Sequence, residues 1–131
     1  MVSKAVLIDD SDIDLFIQRR FLEVYKFSEE LVLYRSAEEA LNWLRMLNGE
    51  APPDVIFLDL NMPDIDGFSF LENFSQLPEN IRSKSKIVVL TSSNNKKDKE
   101  LAFLNQNVIQ FITKPLKQAD IEELKKKISA S

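Results

Sequence analysis

The 131-residue sequence contains neither cysteine nor histidine, and each absence removes a class of chemistry. Without cysteine, the chain has no disulfide framework and no thiol nucleophile. Without histidine, it has no histidine-based metal site, no serine–histidine–aspartate triad and no phosphohistidine of its own. A chain without disulfides fits the cytoplasm, and we expect that location.

Glycine and long apolar runs are also scarce. With only two glycines, the chain lacks the glycine pattern of a P-loop, so a nucleotide is not the expected phosphoryl donor. No apolar run is long enough to cross a bilayer, and the opening "SKAVLI" has no signal-peptide cleavage site. The net charge of −4 gives no nucleic-acid footprint. We therefore expect no contact with membranes or nucleic acids.

The length and composition are those of one globular domain. The sequence is 44% hydrophobic and 29% charged, without a Pro- or Gly-rich stretch long enough to link two domains. We expect residues 1–131 to form a single domain, with no output domain after the last helix.

Apolar runs alternate five times with amphipathic stretches, which predicts β-α units around a parallel sheet. The predicted strands cover residues 5–8, 31–34, 54–60, 86–92 and 108–113. The first predicted helix follows a cap at Ser11 or Asp12 and has an apolar side formed by Ile13, Phe16, Ile17, Phe21 and Val24. The other predicted helices cover 36–47, 66–76, 95–106 and 118–128. Ser36 and Glu39 have the spacing of a capping box. Right-handed crossovers would place helices on both faces of the sheet, giving a doubly wound α/β fold.

Polar residues collect where these strands end. Asp9 and Asp10 follow the first strand, Asp59 ends the third, Thr91 ends the fourth and Lys114 follows the fifth. In a parallel sheet all five lie at the carboxyl edge, where open α/β sheets bind ligands. Two carboxylates about 5 Å apart would repel by about 3 kcal/mol at an effective dielectric of about 20. A hard divalent cation such as Mg²⁺ would offset that repulsion, so the pattern predicts a magnesium site.

Four segments resemble motifs of one known family. The segments "VLIDDSDID", "VIFLDLNMPDIDGFSFL", "IVVLTSSN" and "FITKPL" are similar, in order and spacing, to those of the receiver domain of two-component response regulators. The likeness covers essentially the whole chain. It implies a flavodoxin-like, CheY-like (βα)5 fold, with a five-stranded parallel sheet in the order 2-1-3-4-5.

The resemblance also implies a role for each residue at the predicted edge. Asp59 would be the phosphoacceptor. Asp10 and Asp59 would bind Mg²⁺ directly, Asp9 would act mostly through a metal-bound water, and the backbone carbonyl of Asn61 would be a further ligand.

Three more roles follow from the same resemblance. Thr91 would hydrogen-bond the phosphoryl group, and Lys114 would form an ion pair with that group. The peptide bond between Lys114 and Pro115 would be cis. Thr91 and Phe111 would also be the switch residues, with Phe111 as the aromatic one.

The implied function is a stand-alone receiver that catalyses only its own phosphorylation and dephosphorylation. Its donor would be the phosphohistidine of a histidine kinase or phosphotransfer protein, or a small acyl phosphate. Phosphorylation would change the surface of the fourth helix, fifth strand and fifth helix, and so control binding of a downstream protein. We expect the protein to act as a monomer or a weak dimer. The resemblance does not identify the signalling pathway.

Two other interpretations stay open at this point. A Mg²⁺-dependent phosphohydrolase with an aspartyl-phosphate intermediate usually carries a second aspartate two residues after the nucleophile, where this chain has Asn61. A degenerate receiver would keep the fold as an interaction domain without phosphorylation, although all five residues at the edge are present.

Overall fold

A computed structural model describes residues 1–62 and 66–129, so residues 63–65 of the second motif and the last two residues lie outside the described part. Five parallel strands form one sheet in the order β2-β1-β3-β4-β5. The strands are β1 (Val2–Ile8), β2 (Ser28–Tyr34), β3 (Val55–Leu58), β4 (Lys86–Thr91) and β5 (Val108–Thr113). The predicted fold class and strand order are confirmed.

Six helices lie within the described residues. They are α1 (Asp12–Val24), α2 (Ala37–Arg45), α3 (Gly67–Phe74), α4 (Glu79–Arg82), α5 (Lys96–Phe103) and α6 (Gln118–Ser129). In the part of the chain that the structure describes, no helix is both long enough and apolar enough to span a membrane.

The central strands owe their position to being apolar on both faces. All four residues of β3 are fully buried, and so are Ala5–Ile8 of β1 and Ile87–Val89 of β4, which pair with it. Because side chains alternate across a strand, the core divides into two clusters, one on each face of the sheet. One cluster contains Val6, Ile8, Ile56, Leu58 and Val89, and the other contains Ala5, Leu7, Val55, Phe57 and Val88.

Side-chain caps fix where the helices begin. The hydroxyl of Ser11 accepts a hydrogen bond from the Asp14 N–H at 3.3 Å, and that of Ser36 accepts one from the Glu39 N–H at 3.3 Å. The caps satisfy N–H groups that the first helical turn leaves unpaired. The predicted start of α2 is confirmed, and Ser11 is the cap of α1.

Two features differ from the sequence-based expectation. The four-residue helix α4 was not predicted, because one turn after Pro78 is too short to show a helical period. The helices predicted as the fourth and fifth are therefore α5 and α6 in the structure. On α1, the predicted apolar side contains Ile13, Phe16 and Val24, which are more than half exposed.

The buried face of α1 contains Leu15, Gln18 and Leu22 instead. A glutamine in the middle of this face breaks its apolar pattern. The periodicity of apolar residues therefore predicted that the opposite side of the helix, which is exposed in the structure, would be buried.

Candidate functional site

The site begins where β1 and β3 end side by side. Ile8 and Leu58 are partners in the sheet register, so the next residues, Asp9 and Asp59, emerge together at the carboxyl edge. The Asp59 N–H donates to the Ile8 carbonyl at 3.1 Å. Asp9, Asp10 and Asp59 each place a carboxylate oxygen within 4.8 Å of the others. The sheet thus brings together the three acidic residues that the sequence analysis selected.

Lys114 reaches this acidic group from beyond β5. Its Nζ atom lies 2.7 Å from Asp9 Oδ2 and 3.2 Å from Asp59 Oδ2. The Lys114–Pro115 peptide bond is cis, as the resemblance implies. The Lys114 N–H donates to the Thr91 carbonyl at 2.7 Å, which ties this segment to the end of β4.

Helix α1 contributes two residues that the sequence analysis missed. Asp14 accepts a hydrogen bond from Lys114 Nζ at 2.9 Å, and Gln18 Nε2 lies 3.5 Å from Asp9 Oδ2. Within residues 1–62 and 66–129, Gln18 Oε1 is a buried atom without a hydrogen-bond partner. Asp14 and Gln18 are four residues apart and share one helix face. A polar pair at this spacing on the buried side of α1 is the signal that could have revealed them.

The electrostatics of the pocket favour additional positive charge. Burial raises the pKa of Asp9 above its ordinary value, against the lowering effect of hydrogen bonds from Lys114 and the Ser11 N–H. Burial lowers the pKa of Lys114, but hydrogen bonds to Asp9 and Asp14 and the charge of Asp59 outweigh it, so the pKa is raised. Both shifts favour the protonated form, so Lys114 stays an ammonium at physiological pH.

Thr91 lies fully buried at the end of β4, and its hydroxyl is engaged. Thr91 Oγ1 accepts hydrogen bonds from Asn61 Nδ2 and from the Ser93 N–H, both at 3.3 Å. The Asn61 N–H in turn donates to Asp59 Oδ1 at 3.1 Å. Asn61 therefore links the acidic residue at the end of β3 to the hydroxyl at the end of β4.

Phe111 is partly buried and packs against the core on one face of the sheet. It pairs in register with Val89, two residues before Thr91. Since residues two apart on a strand point to the same face, Phe111 and Thr91 share a face of the sheet. The structure places the two predicted switch residues on neighbouring strands.

The donor set fits a hard divalent cation. Asp9, Asp10 and Asp59 offer oxygen atoms only, and Asp10 is exposed, which leaves the pocket open to solvent. Mg²⁺ and similar ions prefer carboxylate, carbonyl and water oxygens and bind through one or two carboxylates. The residues present could hold such an ion.

Residues 5–127 match the family model described as the response regulator receiver domain. The chain belongs to this family. A receiver protein from Dyadobacter fermentans, of known crystal structure, is 34% identical with a TM-score of 0.87, and the match covers 99% of this chain and 100% of that one.

Two further relatives show the range of receiver proteins. A Mn²⁺-bound form of the response regulator Rcp1 is 29% identical with a TM-score of 0.70, over 98% of this chain and 92% of that one. Hybrid signal transduction histidine kinase L of Dictyostelium discoideum is 29% identical over 127 residues. This match covers 97% of the present chain but 7% of the kinase. The receiver is thus a small part of some relatives and most of others.

Proposed function

We propose that this receiver accepts a phosphoryl group on Asp59 in a Mg²⁺-dependent reaction and thereby changes its affinity for a partner protein. The observation that carries the proposal is the convergence of Asp9, Asp10 and Asp59 within 4.8 Å of one another, with Lys114 3.2 Å from Asp59. Phosphoryl transfer requires mainly positioning and positive charge, and the pocket offers both a carboxylate nucleophile and a fixed ammonium.

In the proposed reaction, an oxygen of Asp59 forms a bond to the phosphorus of a phosphohistidine on a histidine kinase or phosphotransfer protein. The phosphorus–nitrogen bond breaks, and its electron pair returns to the imidazole. Lys114 lies next to the developing negative charge. Mg²⁺, held by Asp10, Asp59 and the Asn61 carbonyl with Asp9 acting through water, would supply further positive charge to the phosphoryl oxygens.

The proposed switch uses the contacts of Thr91. Its hydroxyl now accepts from Asn61 and the Ser93 N–H, and it would turn to donate to the phosphoryl group. Movement of Thr91 would free space on the face that it shares with Phe111. A ring rotation there would alter the surface of α5, β5 and α6, where Phe103 and Leu104 are exposed beside Lys96 and Lys99. That mixed apolar and basic surface supports binding of a protein partner.

The proposal is tested by incubating the chain with Mg²⁺ and acetyl phosphate and mapping the modified residue by mass spectrometry. We expect one phosphoaspartate at Asp59, and none in Asp59→Asn. Asp12→Asn is the matched control, because Asp12 is exposed and pairs with Arg35 rather than with Lys114. An unmodified wild-type chain would indicate a degenerate receiver, and steady turnover of unrelated phosphate esters would indicate a hydrolase.

A further inference from the structure

The ammonium of Lys114 is shared among three carboxylates. Its Nζ atom lies 2.7 Å from Asp9, 2.9 Å from Asp14 and 3.2 Å from Asp59. An ammonium has three protons and no acceptor, so these contacts use its full capacity. A phosphoryl group on Asp59 that pairs with Lys114 must replace at least one of these three contacts.

The three partners differ in how readily water can replace the lysine. The side chains of Asp9 and Asp59 are 1% and 7% exposed, whereas that of Asp14 is 39% exposed. A carboxylate left unpaired in a buried position pays a large desolvation cost, but a partly exposed one is solvated at once. Once Asp59 carries a phosphoryl group, its own carboxylate is no longer charged, so the carboxylates that compete for Lys114 are those of Asp9 and Asp14. Of these two, Asp14 is the one that Lys114 leaves at the lower cost.

We infer that Asp14 is a positioning residue that holds Lys114 in the unphosphorylated form and competes with the phosphoryl group for it. The inference rests on the proposed function of Asp59. The Asp14–Lys114 contact stabilises the unphosphorylated form. Asp14 thereby reduces the free energy that the phosphoryl group on Asp59 gains by pairing with Lys114. It acts through Lys114 and forms no bond to the reacting atoms.

The same carboxylate has an opposite effect on a cation. Asp14 adds negative charge to a pocket that already holds three carboxylates and one lysine. Its removal makes the pocket more favourable for an anion and less favourable for a divalent cation. A side chain that only supported the fold would not shift the two affinities in opposite directions.

The test measures binding of beryllofluoride, which attaches to an aspartate carboxylate in place of a phosphoryl group, by NMR titration at saturating Mg²⁺. We expect Asp14→Asn to bind beryllofluoride about fivefold more tightly than the wild type, as loss of one partly exposed charge pair allows. We expect its affinity for Mg²⁺ alone to fall. Asp14→Glu, which keeps the charge within reach of Lys114, should stay within about twofold of the wild type.

Asp12→Asn is the matched control, because it removes one charge from the same helix turn while Asp12 pairs with Arg35 at 2.8 Å. If Asp12→Asn tightened beryllofluoride binding as much as Asp14→Asn, the effect would come from net charge alone, and the inference would be overturned. Unchanged or weaker beryllofluoride binding by Asp14→Asn would overturn it as well. Asp14→Ser repeats the test with a smaller side chain, and thermal melting verifies that each variant is folded. A wild type that binds no beryllofluoride would contradict the proposed function itself.

Discussion

Lys114 is the residue on which the charge balance of the pocket depends. It is 13% exposed and contacts two carboxylates that are almost completely buried. Removing one partner from a buried ion pair leaves an uncompensated charge, which costs more than the pair contributes as a whole. The lysine therefore matters for folding as well as for the proposed phosphoryl transfer.

Replacing Lys114 with methionine should lower the free energy of unfolding in EDTA by about 1–3 kcal/mol, because Asp9 and Asp59 lose their shared cation. The same variant should bind Mg²⁺ more tightly, since the ion no longer competes with an ammonium. Urea unfolding with and without Mg²⁺ measures both effects. Lys84→Met is the matched control: Lys84 is half exposed and lies 3.9 Å from Asp54, so its loss should cost less than about 0.5 kcal/mol. Equal losses in the two variants would contradict the argument.

The carboxyl ends of the strands were predictable to within two residues, but contacts from helices were not. An apolar run fixes where a buried strand ends, so Asp9, Asp59, Thr91 and Lys114 could be assigned to one edge from the sequence. Whether Asp14 faces the site depends on the rotation of α1 about its own axis. The sequence pattern predicted the wrong buried face for that helix, so Asp14 was not selected.

The first residue of α3 shows how tightly an element can be constrained. Gly67 opens α3 and donates its N–H to the Leu60 carbonyl at 3.0 Å. A Cβ atom at this position would lie 2.6 Å from Leu60 Cα and 2.9 Å from the Asp59 carbonyl oxygen. Both atoms are backbone, so neither can move aside as a side chain would.

Gly67→Ala should therefore lower stability by about 1–3 kcal/mol and weaken beryllofluoride binding by about tenfold, because the backbone that carries Asp59 must shift. Thermal melting and the NMR titration described above measure the two changes. Gly49→Ala is the control: Gly49 has φ +97° and no atom within 4 Å of a built Cβ, so the substitution strains the backbone locally without touching the site. Its stability should fall, but beryllofluoride affinity should not. Normal binding by Gly67→Ala would show that the close approach does not position Asp59.

The molecule as a whole places two buried carboxylates, those of Asp9 and Asp59, at one edge of a sheet whose central strand is apolar. Two core clusters cover the two faces of the sheet, and the acidic residues lie beyond the last buried strand positions. The alternation of elements and the choice of central strands followed from the sequence, because central parallel strands must be apolar throughout. The strand order followed only from the resemblance to the receiver family. The short α4 could not be predicted, since its existence depends on packing of Ile81 rather than on a periodic pattern.

Mg²⁺ should stabilise the whole fold, because an ion that binds only the folded chain shifts the unfolding equilibrium. At about 100 times its dissociation constant, we expect an increase of about 2.7 kcal/mol in the free energy of unfolding. Urea titrations at rising Mg²⁺ concentration measure this increase. Asp10→Asn should reduce it, whereas Asp120→Asn should leave it unchanged, because Asp120 lies in the first turn of α6 and accepts a hydrogen bond from the Lys117 N–H. An increase of the same size in Asp10→Asn would place the ion elsewhere.

Asp59 follows a strand that is hydrogen-bonded on both sides, by β1 and by β4. A strand in the middle of a sheet opens only when the domain unfolds, so we expect the amide protons of Val55–Leu58 to be among the slowest to exchange. The proposed phosphoacceptor is thus anchored at the end of a strand that stays closed in the folded domain. Its modification would then reach a partner through the segments beside it, the ends of β4 and β5 and the helices that follow them.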